Sequence, residues 1–142
     1  MTADSFTATH FSSFPQSWVS AHGTPTGFVS FDLGSALKLT ELRFWQGPFY
    51  VGGLRTDVKN FVLFSDTDLD PTNGLGTMLG SFVADDLLNI NTPMQSFNID
   101  TTTQFVQMQI LSNLENATAS SIGEVAFTGS AVPEPSSCVL AS

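Results

Sequence analysis

The chain has 142 residues, 42% of them hydrophobic, and sets 4 Lys+Arg against 13 Asp+Glu for a formal charge of −9. That length suits a single domain that can bury most of its extended-chain surface without a metal or disulfide staple. The charge excludes a protein that grips a phosphate backbone, so nucleic acid and anionic membrane surfaces are poor partners, whereas a divalent cation or a neutral sugar fits.

Met1-Thr2-Ala3-Asp4 carries neither the basic nor the apolar run of a signal peptide. A first strand is predicted over 5–11, then a loop over Phe11 to Ser17. Val29, Phe31 and Leu33 alternate with Phe28, Ser30 and Asp32, which predicts a half-buried strand over 27–33. Gly34-Ser35 reads as a turn, and a strand over 37–46 follows. Leu37 and Leu39 are in one phase of that strand and Leu42 and Phe44 in the other, so a β-bulge is expected near Thr40 and Glu41. Gln46 to Gly53 is a glycine-rich loop, with Trp45 at its start and Phe49 and Tyr50 adjacent within it.

Val58 to Ser65 is apolar on both faces, as in a strand covered on both sides. An acidic loop, Asp66-Thr67-Asp68-Leu69-Asp70, separates it from a strand over 77–84, and one helical turn is predicted over 85–90. Strands over 95–100 and 104–112 flank Thr101-Thr102-Thr103, read as a turn or an O-glycosylation site. In the second of these, Val106, Met108 and Ile110 alternate with Gln107 and Gln109. Asn116-Ala117-Thr118 is an N-glycosylation sequon that places Asn116 on a surface loop, and the last strand is expected over 121–129. Together these make about eight short strands and an all-β, antiparallel sandwich or jelly roll over 1–129. The proline-rich stretch 130–142 reads as a tail.

The residues offer little for catalysis. The only histidines, His10 and His22, stand in no motif with a serine. Cys138, the sole cysteine, lies in the tail and can form no internal disulfide. No zinc-type spacing or phosphate-cradling glycine loop is present, and no enzyme is predicted. Asp66, Asp68 and Asp70 alternate as calcium ligands do, but Pro71 and Thr77 fall where an EF-hand needs Gly and Glu. Two readings stay open: a calcium site, or a loop whose carboxylates cap their own backbone. Trp45, Phe49 and Tyr50 suit stacking on a sugar if exposed; the other reading folds Phe49 and Tyr50 back over the end of the sandwich.

Four stretches resemble the discoidin, or coagulation-factor type C, family: Trp18-Val19-Ser20, Phe28 through Gly34, Arg55 through Phe61, and Ile122 through Phe127. The resemblance implies a galactose-binding-like sandwich that is not a catalyst and holds carbohydrate on loops at one end. Arg55 joins Trp45, Phe49 and Tyr50 as a candidate ligand-binding residue on that basis. It also implies Glu124 as a retained acidic calcium ligand, although Phe11 to Ser17 lacks the family's Asp-Gly-Asn-x-x-Thr loop. Glu124 is otherwise expected to bond backbone, Arg55 or Arg43. Val132-Pro133-Glu134-Pro135-Ser136 resembles the start of a PEP-CTERM sorting signal, without the apolar helix and basic end that follow it in that family. This implies a bacterial protein exported to the cell surface or beyond, touching a membrane only through the missing anchor. Two functions fit. One is a carbohydrate-binding or adhesive module of the extracellular matrix, with a polysaccharide or glycan as partner. The other is a structural subunit of a filament, with other copies of itself as partners.

Overall fold

The computed structural model describes residues 18–47, 49–86 and 94–133. Among the described residues the alternating apolar segments form nine strands: β1 (Trp18–Val19), β2 (Gly27–Trp45), β3 (Tyr50–Val51), β4 (Leu54–Arg55), β5 (Asn60–Asp66), β6 (Thr77–Val83), β7 (Gln95–Ile110), β8 (Ser121–Ile122) and β9 (Glu124–Ala131). A 3-10 turn, Pro71–Asn73, precedes β6. No helix among the described residues is long and apolar enough to cross a membrane.

The main sheet runs β6-β5-β7-β2-β9, every pair antiparallel. β2 and β7 are long enough to serve both layers of a sandwich. Residues 27–32 of β2 pair with 105–110 of β7, which pairs in turn with β5. Past a register break between Asp32 and Leu37, residues 37–44 pair with 95–103 of β7, and 37–45 pair with β9. The two leaves close face to face on aromatic rings. Phe31 of one meets Phe127 of the other edge-on at 5.3 Å, and Phe61 meets Phe97 at 5.2 Å and Phe44 at 6.0 Å. Leu39, Leu42, Leu63, Val106, Met108 and Ile122 fill the rest of this dry interior. Trp18 packs against it, half-buried.

The expected antiparallel sandwich is therefore the fold found, with strands joined differently. The stretches over 27–33 and 37–46 are one strand. Gly34, at φ +83 with its N–H donated to Asp32 Oδ1 at 2.8 Å, bends the chain without reversing it. The bulge expected near Thr40 and Glu41 is present, since both partners of β2 shift register between Leu39 and Glu41. Thr101 to Thr103 are not a turn but lie within β7, opposite Leu39 to Leu37. Phe61, Val62 and Leu63 are all buried, as a two-faced apolar strand should be. β9 continues to Ala131, so sheet pairing passes the boundary expected at Gly129. The strand predicted over 5–11 lies outside the described residues. Of the helical turn predicted over 85–90, only Asp85 and Asp86 are described, and neither is helical.

Candidate functional site

The aromatic loop is an ordered hairpin. Gly52 and Gly53 sit at φ +61 and +79, the two positive values that a tight two-residue turn needs, and β3 and β4 pair across them. The register sets Tyr50 against Arg55 and Val51 against Leu54. Tyr50 stays 54% exposed and Leu54 42%, whereas Arg55 is only 3% exposed. Phe49 is half-buried, and its ring lies so close to Gly47 that a Cβ there would come within 2.7 Å of it. Trp45, half-buried at the end of β2, accepts at its carbonyl from the Gly123 N–H at 2.9 Å.

A buried polar brace holds the hairpin from below. Arg55 donates from Nε and Nη2 to Asp57 Oδ2 at 3.1 and 2.8 Å, and from Nη1 to Asp86. Asp57, fully buried, accepts the Gly47 N–H on Oδ1 at 2.8 Å. The Phe49 carbonyl accepts from the Thr56 amide and hydroxyl, both at 3.2 Å, and the Thr56 and Ser121 hydroxyls bond at 2.7 Å. Behind this, Gln46 donates to the Asp85 carbonyl at 2.7 Å, and Gln95 bonds both the amide and the carbonyl of Asp85. The Glu115 carboxylate accepts the Arg55 N–H, and the Leu114 N–H donates to the Asp57 carbonyl at 2.9 Å, which ties in the 111–120 loop.

Burial pushes the Asp57 carboxyl above its ordinary value, against the pull of the Gly47 amide and the Arg55 charge. Burial alone would lower the Arg55 guanidinium, but the Asp57 and Asp86 carboxylates outweigh it and raise it. The guanidinium is thus committed to protein carboxylates. Arg55, expected among the ligand-reading residues, is instead the keystone of the brace. Of the aromatics, Tyr50 faces solvent, Phe49 folds onto Gly47, and Trp45 is partly covered.

The acidic loop does not assemble as a metal site. Asp66 accepts its neighbour's amide from Thr67 at 2.7 Å. Asp68 accepts the Asp70 N–H at 2.8 Å and Asn73 Nδ2 at 2.6 Å. Asp70 caps Thr72 N at 2.9 Å. These are the self-capping bonds of an Asx-rich turn. Glu124, the acidic ligand of the separate calcium site that the resemblance implies, lies on β9 and pairs in register with Trp45 of β2. Among the described residues no three His, Cys, Asp or Glu side chains form a metal-holding group. Of the arginines proposed for Glu124, Arg43 pairs with Glu41 and Arg55 with Asp57 and Asp86. Asn116 is exposed, on the surface loop the sequon predicts. Of the sorting motif, Val132 and Pro133 are described and exposed; Glu134, Pro135 and Ser136 lie outside the described residues.

Sequence reasoning missed Asp57, Asp86 and Glu115. The Arg55-Thr56-Asp57 spacing was a signal for the first; nothing local marks the others, which lie 31 and 60 positions from Arg55.

No family model matches the chain, and no curated protein does. Solved structures do match. CpGH89CBM32-5 from Clostridium perfringens, in complex with GalNAc-β-1,3-galactose, aligns over 78% of this chain and 73% of its own at 12% identity and TM-score 0.59. The CBM32 of AlyQ, in complex with 4,5-unsaturated mannuronic acid, aligns over 79% and 76% at 24% identity and TM-score 0.54. SusE-like protein BT2857 aligns over 80% of this chain at 16% identity and TM-score 0.62, but this chain spans only 52% of it. The class the fold defines is the galactose-binding-like β-sandwich. Within that class, the chain shares the architecture of CBM32 modules.

Proposed function

We propose that this protein is a non-catalytic carbohydrate-binding module of an exported bacterial surface or matrix protein. The single observation that carries the reading is Tyr50: an aromatic ring 54% exposed on a hairpin whose backbone is braced by buried charge. A solvent-facing ring on a preformed hairpin suits stacking on the C–H face of a sugar. The fold adds support, because two of the matched modules were solved with sugars bound. The net charge of −9 favours neutral glycans over polyanions.

Export rests on the likeness of Val132 to Ser136 to a sorting signal, so the binding body ends near Ala131 and the remainder belongs to delivery. Asn116 stays a candidate glycosylation position on the same reading. A glycan array probed with the wild-type domain and with Tyr50→Ala tests the function. Retained signal on a defined set of glycans that Tyr50→Ala removes supports it; an array blank with both proteins rejects it.

A further inference from the structure

A concave feature lies where the 25–26 segment meets the 111–117 loop. A cleft of about 170 Å³ opens between Pro25–Thr26 on one side and Leu111, Ser112, Asn116 and Ala117 on the other. Sites for drug-sized ligands run to roughly 300–1,000 Å³, so this one suits a single small ring. Both walls are fixed in advance. Asn113, 4% exposed, donates from Nδ2 to the Ala117 and Ala119 carbonyls at 2.8 and 2.9 Å and accepts the Ala117 N–H on Oδ1 at 2.8 Å. The opposite wall is fastened by the Ser120 hydroxyl on the Pro25 carbonyl and by the Gly23 N–H on the Thr118 carbonyl at 2.8 Å.

Asn116 stands at the mouth. It is the one non-glycine residue with positive φ, +54, among those described. Its side chain makes no hydrogen bond to any described residue, while the neighbouring Asn113 is saturated. Asparagine adopts this left-handed conformation readily in a turn, and here the residue that does so lines the preformed cleft. The chemistry of the lining is narrow. Pro25, Leu111 and Ala117 give apolar surface, Thr26 and Ser112 give hydroxyls, Asn116 gives an amide, and no charged side chain lines the cleft. An anion finds no cation there and a cation no carboxylate. A wholly apolar ligand would leave the amide and hydroxyls unpaired. An uncharged sugar ring, with one C–H face and polar edges, satisfies all of them.

We propose that this cleft is a second glycan subsite for one neutral pyranose, with Leu111 as its apolar wall and Asn116 as its polar reader. The proposal rests on the carbohydrate-binding reading above. The 111–117 loop also carries Glu115, which holds Arg55 of the hairpin, so one loop borders both sites and an oligosaccharide could engage both.

The test is a ¹⁵N–¹H NMR titration of unglycosylated protein with methyl β-galactopyranoside, methyl α-mannopyranoside, methyl N-acetyl-β-glucosaminide and methyl β-glucuronide. At least one neutral glycoside should shift amides at 26–27 and 111–117. Asn116→Gly, which keeps the backbone conformation and removes the amide, should weaken that response about five- to tenfold without lowering Tm. Leu111→Ala should weaken it similarly, and Tyr50→Ala should leave it intact. Shifts confined to 49–55 overturn the subsite while leaving the parent reading standing. No shift anywhere with any glycoside overturns both. A stronger response to the glucuronide at 111–117 overturns the neutral assignment.

Discussion

The two ends of β5 make opposite uses of their carboxylates. At its start, Asp57, two residues from Arg55, and the distant Asp86 converge on one buried guanidinium beneath the hairpin that carries the solvent-facing Tyr50. At its finish, roughly 20 Å away by strand rise, Asp66, Asp68 and Asp70 crowd one loop and each caps nearby backbone. The second end looks more like a site in sequence, yet its acidic groups are consumed locally. Density of charge along the chain is a poor guide to function when Asx side chains can satisfy their own turn.

The largest expected effect is at the brace. Arg55→Ala strands Asp57 in a dry interior, and urea denaturation should show a loss of about 3–5 kcal/mol. A loss below about 1 kcal/mol would reduce the brace to a surface ion pair. Next is the ring it supports. Tyr50→Ala should cut glycan affinity at least about tenfold by calorimetry while moving folding stability by less than about 0.5 kcal/mol. Equal loss in both quantities would mean that the ring is structural.

Gly53→Ala forces a side chain into the left-handed region and should cost about 1–2 kcal/mol in thermal unfolding. It should also lower affinity, because the turn sets where Tyr50 points. At the other end, Asp70→Ala removes the cap on Thr72 and should cost about 0.5–1 kcal/mol. Millimolar calcium should leave Tm unchanged there, and a calcium-dependent rise abolished by Asp68→Asn would restore the metal-site reading of that loop.

The smallest effect separates the ends by pH. Asp32 is held below its ordinary value by the Gly34 amide, Glu41 by Ser96 and Arg43, and Asp70 by Thr72. Their contribution is present above the unfolded carboxylate range and is lost as pH falls through the folded values. Asp57, raised by burial, works in reverse: its contribution is full at low pH and is lost as pH rises through its folded value. Asp57→Asn should therefore steepen the fall in stability below about pH 5. An unchanged acid slope in urea titrations would show that Asp57 is not raised.

Periodicity made the sandwich legible because burial of one face writes itself into alternate residues, as in Val106, Met108 and Ile110. Phase change even located the bulge between Leu39 and Glu41. Strand count was less legible, because Gly34 and Thr101 to Thr103 carry turn chemistry that the long-range pairing of β2 with β7 overrides. The site was readable only in part. Tyr50 is marked by its glycine-rich surroundings and Asp57 by its spacing from Arg55, but Asp86 and Glu115 are brought to Arg55 by tertiary closure. The cleft beside Asn116 depends on Pro25 and Leu111 meeting across the fold, and no local pattern encodes such a contact.

The most direct test of the account is side-by-side calorimetry of wild type and Tyr50→Ala against the strongest neutral glycan from the array. Saturable binding by the wild type that is at least about tenfold weaker in a fully folded Tyr50→Ala is the predicted result. Identical isotherms for the two proteins would contradict it and move the binding surface away from the hairpin.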